Sequence, residues 1–177
     1  MPVISGIVLA AGAGTRHGGP KALVPGWLDD ATRLLLDGGC ERVVVVLGAG
    51  ADEALTLLPA DSRITSVVAG DWAAGLGASL RTGLAHATGD AVLVTLVDLP
   101  GTPVAVVDRV LEDVSRDALR QATYDGRPGH PVLVGADHWT ALAESVGGDR
   151  GARPYLVSHG VTEIECGDLH HGRDEDA

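Results

Sequence analysis

The stretch that most constrains this chain lies near its start: Leu9-Ala10-Ala11-Gly12-Ala13-Gly14-Thr15-Arg16-His17-Gly18-Gly19-Pro20-Lys21. It follows a short apolar run, residues 3–9, that reads as a strand, and the chain turns apolar again after Lys21. Four glycines with one arginine and one lysine have the chemistry of a phosphate cradle. Glycine lets backbone N–H groups approach a polyphosphate with no Cβ in the way, and Arg16 and Lys21 neutralise charge that backbone dipoles alone cannot. Two known phosphate patterns fail here. The dinucleotide fingerprint GxGxxG meets His17 where its third glycine belongs, and the second apolar run ends in Gly48-Ala49 with no acid for a ribose. The Walker pattern has its gap between Gly14 and Gly19, but Pro20 precedes the lysine and Ala22 replaces the Ser or Thr that would hold magnesium. A purely steric strand-to-helix turn is the alternative, and such a turn seldom needs both cations.

Composition narrows the function classes. A chain of 177 residues is expected to form one domain around a full core without staples. The formal net charge is -11, and the 13 Lys and Arg are scattered, so no basic stripe offers itself to nucleic acid or to an anionic membrane. Cys40 and Cys166 stand far apart without metal-ligand spacing and read as buried thiols of a reducing compartment. No apolar run approaches the ~20 residues of a membrane span, and a cytoplasmic location is expected.

Downstream, continuous apolar runs alternate with helical spacing. Trp27, Leu28, Ala31, Leu34 and Leu35, with Asp29 and Asp30 near the start and Gly38-Gly39 as a stop, predict a helix over 27–36. Residues 43–47 read as a strand covered on both faces. A helix over 52–58, a strand over 64–69, a helix over 77–87, a strand over 91–97 and a helix over 104–114 continue the alternation, which predicts a doubly wound α/β fold with a mostly parallel sheet. After Ser115 the rhythm changes. Strands over 119–124 and 131–134 flank Asp125-Gly126-Arg127-Pro128-Gly129, expected as an antiparallel insertion, followed by a helix over 138–146 and a last strand over 161–166.

Three further constellations carry chemistry. Asp98, in Thr95-Leu96-Val97-Asp98-Leu99-Pro100, stands at the carboxyl end of a buried strand, where open α/β sheets bind ligands and where a carboxylate can hold magnesium on nucleotide phosphates. The distance to the next helix is too long for it to be an N-cap. Gly75, Gly77 and Ser79 bracket the start of a helix whose open N–H groups suit a base or ribose edge, although Ser79 also reads as a plain helix residue, and Trp72 as core or as wall. The third constellation joins Gly129-His130-Pro131 with Asp149-Arg150-Gly151-Ala152-Arg153. His130 reads more readily as a structural histidine than as an acid or base, and exposed arginines such as Arg150 and Arg153 either grip an anion or do nothing.

The order LAAGxGxR, xGxPKxL, WxxGxGxSLRxGL, DxP, GHPV and GDxGAR resembles the nucleotidyltransferases that include the molybdenum cofactor cytidylyltransferases, over nearly the whole chain. The resemblance implies a Rossmann-like three-layer α/β/α fold, a nucleotide-binding half over 1–115 and an acceptor-binding half over 116–177. It implies a nucleotide held by Leu9, Ala10, Ala11, Gly12, Gly14, Arg16, Lys21, Gly75, Ser79 and Asp98, with Arg16 and Lys21 catalytic. It places His130, Arg150 and Arg153 on the acceptor side, and Mg2+ on Asp98 with a second ligand from a C-terminal DxD that Asp174 and Asp176 match. An LAAG opening goes with cytidine transfer, so Ala11 points to CTP, with molybdopterin as acceptor and a molybdoenzyme or its chaperone as onward partner. The chain departs from the pattern at His17, usually methionine, in a segment after Lys21 that is several residues short, and at Ala177, where the chain ends within DxDTPxD. Two alternatives stay open: a sugar-phosphate or other small-phosphate nucleotidyltransferase, and a nucleotide-binding accessory protein without catalysis.

Overall fold

The computed structural model describes residues 1–147 and 149–175. Seven strands form one sheet: β1 (Ile4–Ala10), β2 (Arg42–Leu47), β3 (Ile64–Val68), β4 (Ala91–Leu96), β5 (Leu119–Tyr124), β6 (Arg127–Gly135) and β7 (Thr162–Glu165), in the spatial order β3-β2-β1-β4-β6-β5-β7. β1 pairs in parallel with β2 and β4, β2 with β3, and β5 with β7. β6 alone runs against both of its neighbours. The mostly parallel sheet with an antiparallel insertion is as the alternation predicts.

The continuous apolar runs are explained by burial on both faces. Alternate residues of β1, β2 and β4 divide between two cores: Val8, Val43, Val45 and Leu93 face one side, and Ile7, Leu9, Val44, Val46, Val92 and Val94 the other. The first side is covered by α1 (Trp27–Asp37) and α4 (Val104–Val110), through Leu28, Leu35, Val106 and Val107. The second is covered by α3 (Leu76–Ala85), α5 (Trp139–Ser145) and α6 (Arg153–Ser158), through Leu80, Leu84, Leu142 and Leu156. The short α2 (Ala51–Leu55) follows β2. Truncating a fully buried side chain such as Leu93 or Leu35 to alanine is expected to cost about 2–5 kcal/mol.

Three boundaries differ from the sequence expectation by three residues or more, two of them for identifiable reasons. β6 begins at Arg127, because Asp125 and Gly126 both take positive φ (52° and 76°) and form a two-residue hairpin turn, so Arg127 and Pro128 belong to the strand. α4 ends at Val110, where Arg120 of β5 donates to the carbonyls of Val110 (2.8 Å) and Arg109 (3.3 Å). A buried guanidinium thus takes up the open helix end. α2 stops at Leu55, three residues short of the expected end. Among the described residues no helix is long and apolar enough to cross a membrane. Cys40 and Cys166 are free and buried, and burial pushes the Cys40 thiol up to about 12.

Candidate functional site

A cleft of about 510 Å3 opens at the carboxyl ends of β1 and β4. Its floor is the chain leaving β1, residues 9–15, and its sides carry Lys21 and Ala22, Trp72, Gly75, Leu76 and Ser79, and Val97, Asp98 and Asp149. The size and the mixture of apolar wall with few polar groups suit a nucleotide-sized ligand.

The loop is held by its own backbone. The carbonyl of Gly14 accepts from the N–H groups of His17, Gly18 and Gly19 at 2.9–3.0 Å, a turn that Gly14 can make because its φ is +60°. A Cβ on Gly14 would lie 1.8 Å from the Gly19 carbonyl oxygen, whereas one on Gly12 would meet nothing within 4 Å. Gly14 therefore shapes the loop, and Gly12 leaves open the space that a ligand would enter. His17 packs its ring beside Trp27, ring centres 5.7 Å apart, which sets the start of α1 against the loop.

Lys21 Nζ donates to Asp98 Oδ2 at 2.7 Å, with side chains only 18% and 14% exposed. Residues 77 apart in the chain thus meet at one edge of the cleft. Helix α4 has Pro103 at its N-cap, so Asp98 caps nothing and is available to the cleft. The carbonyl of Asp98 accepts from the N–H of Glu175 at 2.8 Å, which brings the C-terminal segment, with Asp174 next in the chain, to the same edge. Asp176 lies outside the described residues. Asp98 is a hard carboxylate on the cleft wall, a donor that suits a small divalent cation, and among the described residues no group of three His, Cys, Asp or Glu could hold one by itself. A small divalent cation can bind through one or two carboxylates and complete its shell with water and substrate phosphates.

At the opposite wall, Gly75 has φ +112° and opens α3, from which Leu76 and Ser79 line the cleft. Arg81 of the same motif does not: it donates to the carbonyls of Val146 (2.6 Å) and Ala143 (3.3 Å), tying α3 to the end of α5. The nearby close packing of Gly77 on the Arg150 carbonyl and the Gly147 amide steadies the chain that carries Asp149.

The remaining sequence candidates lie elsewhere. Arg16 is exposed on the outer turn of the loop and does not line the cleft. His130 lines a small adjoining apolar cavity with Leu9, Val94 and Val132. Although its surface is half-buried, protein encloses its ring, and burial pulls its pKa down to about 4 against the opposing field of Asp98. Its imidazole is neutral at neutral pH. Arg150 faces a separate groove beside Tyr155 and His159. Arg153 donates to Gln121 and to Glu163 (2.8 Å), bracing α6 on β5 and β7. The geometry thus gathers Leu9 to Gly14, Lys21, Gly75, Ser79 and Asp98, and does not gather Arg150 or Arg153 with them. Asp149 is the polar residue that sequence reasoning passed over, although its acid stands beside the two arginines in the same motif.

Residues 6–163 match the sequence model of the MobA-like NTP transferase domain. Nicotine blue oxidoreductase from Paenarthrobacter nicotinovorans is 39% identical over 191 residues, covering 99% of this chain and 93% of that protein. Molybdenum cofactor cytidylyltransferase from Escherichia coli K12 is 28% identical over 139 residues, covering 76% of this chain and 71% of that protein. Among solved structures, a nucleotidyl transferase from Methanothermobacter thermautotrophicus superimposes with a TM-score of 0.76 at 25% identity, over 93% of this chain and 87% of that one.

Proposed function

The chain belongs to the MobA-like NTP transferase family as a nucleotidyltransferase, and from that premise we propose that it moves CMP from CTP onto a phosphorylated acceptor of the molybdopterin kind, releasing pyrophosphate. The observation that carries this reading is the meeting of Lys21 with Asp98, 2.7 Å apart, at the edge of a cleft floored by residues 9–15. A cation and a carboxylate stand together beside backbone N–H groups, as handling a triphosphate requires. An acceptor phosphate oxygen attacks the α-phosphorus in line, the bond to the bridging oxygen breaks, and pyrophosphate leaves with the electron pair. The acceptor phosphate is already ionised and needs no strong base, so catalysis is positioning and charge stabilisation. Lys21 bears on the charge growing on the phosphates, and Arg16, on the outer turn, reaches them if the loop closes. Asp98, with Asp174, would hold Mg2+, which when bound would neutralise phosphate charge. Ala11 and the likeness to the cytidylyltransferase favour CTP, and a cytoplasmic enzyme follows from that substrate. The acceptor lies toward Asp149 and the 116–177 half of the chain.

The 39% likeness to a protein named as an oxidoreductase favours a second reading, in which the same cleft serves a redox reaction. One experiment separates the two. Purified protein is given CTP, GTP, ATP or UTP with Mg2+ and a panel of molybdopterin, sugar-phosphate and polyol-phosphate acceptors, and pyrophosphate is measured. In parallel, oxidation of NADH and NADPH is followed with an electron acceptor. CTP-dependent pyrophosphate release supports the transfer reading. Dinucleotide oxidation with no pyrophosphate from any triphosphate supports the second.

A further inference from the structure

Trp72 stands apart from the other two tryptophans. Trp27 packs against His17, and Trp139 donates its Nε1–H to the Val134 carbonyl at 3.0 Å. Trp72 lines the cleft beside Gly75, Leu76 and Ser79 and has no ring partner or side-chain hydrogen bond among the described residues. One part of it packs on the core beneath α3, and the rest faces the cleft. Its position is set by the backbone: its N–H donates to Ala69, its carbonyl accepts from Gly75, and Ala69 is itself bonded to Leu47 at the end of β2. Gly48, the next residue, supplies the room. A Cβ there would lie 2.6 Å from Trp72 Cγ and 2.6 Å from the Ala11 carbonyl oxygen, so the indole rests on bare backbone.

The sheet order then fixes a polarity. Trp72 sits over the end of β2 and Asp98 over the end of β4, with the end of β1 and the glycine loop between them. Two strand spacings separate the two walls, about 10 Å, which is about the reach from a nucleobase through its ribose to its phosphates. We infer that Trp72 stacks its indole on the base of the bound nucleotide, with Gly48 as the residue that seats it. This rests on the nucleotide-binding reading above. A stacking platform accepts any base, since every base has a π-face. Trp72 therefore supplies affinity without choosing among bases, and the choice falls to the hydrogen-bonding edges near Ala10 to Gly12 and Ser79.

The test measures affinities of the full chain for CTP, GTP and inorganic tripolyphosphate, all with Mg2+, in the native protein and in Trp72→Ala and Trp72→Phe, together with tryptophan emission. Loss of the stack in Trp72→Ala is expected to weaken CTP and GTP alike by about ten-fold or more while tripolyphosphate changes by less than about two-fold. Trp72→Phe keeps most of the CTP affinity, which shows that the fold survives, and loses the CTP-induced emission change. Unchanged CTP affinity in Trp72→Ala, or an equal loss for tripolyphosphate, overturns the inference and leaves the nucleotide reading standing. No triphosphate binding to the native protein removes both.

Discussion

Gly12 and Gly14, two residues apart, are expected to respond to alanine in opposite ways. At Gly14 the added Cβ would lie 1.8 Å from the Gly19 oxygen and 2.7 Å from the Gly19 carbon, both backbone atoms that cannot rotate away. The loop must open and lose the three N–H bonds to the Gly14 carbonyl. Taking about 0.5 kcal/mol for each bond, since the exposed N–H groups regain water, and about 1–2 kcal/mol for an L-residue at φ +60°, the cost is about 3 kcal/mol. In a chain of this size that is a fall of roughly 6–12 °C in unfolding midpoint. At Gly12 the Cβ meets nothing within 4 Å, so stability changes by less than about 0.5 kcal/mol. The methyl group stands instead where the triphosphate would approach the backbone, and nucleotide affinity falls by about ten-fold or more. Thermal unfolding and calorimetric titration with CTP and Mg2+ read both effects. An undisturbed midpoint in Gly14→Ala, or undiminished CTP binding in Gly12→Ala, would refute the division between a glycine that shapes the loop and one that admits the ligand.

Lys21→Ala is expected to lower turnover by on the order of 100-fold or more, with little change in the fold by circular dichroism, because one charge-stabilising cation is lost; full turnover would remove Lys21 from the reaction. His130 is held neutral by burial, with its pKa pulled from about 6.5 to about 4. The unfolded chain therefore binds more protons between those values, and stability is lost as pH falls from 6.5 toward 4, by up to roughly 3 kcal/mol. His130→Gln is expected to flatten that part of a pH series of denaturant unfolding curves. Glu165 accepts from the N–H groups of Gly126, Asp125 and Gly167 and from the Thr123 hydroxyl, and these hold its carboxyl down at about 2. Its stabilising effect is present above pH 4.5 and lost as pH falls toward 2. Glu165→Gln is expected to lower the unfolding midpoint at pH 7 and to lose less against the native protein at pH 3; an equal deficit at both would show that the charge is not what the N–H groups hold.

The fold was legible because each core strand is apolar on both faces. Residues 43–47 and 91–97 are short, β-branched runs that read as interior strands of a parallel sheet, and Trp27 to Leu35 carries its own helical period. The loop and Asp98 were legible for a different reason, since glycine spacing and an acid at a strand end mark a site before any contact is known. What escaped depends on long-range partners. Nothing local to Arg120 shows that its guanidinium closes α4, and nothing in GDRGAR shows that Asp149 faces the cleft while Arg150 and Arg153 turn to other walls. Nothing local to Trp72 decides between core and wall, because the residue beneath its ring, Gly48, lies 24 positions earlier in the chain. Glu165 reads as an exposed acid in an edge strand, and only the pairing of β7 with β5 and the hairpin turn beyond it reveals three of the four bonds it accepts, the fourth coming from nearby Gly167.

The most direct measurement is calorimetric titration of the purified protein with CTP, GTP, ATP and UTP, each with and without Mg2+. Tight binding that requires Mg2+ and prefers CTP is the expected result, and it leads to the pyrophosphate assay with a molybdopterin acceptor. Absence of binding by every triphosphate would contradict nucleotidyl transfer in this cleft, whatever the fold.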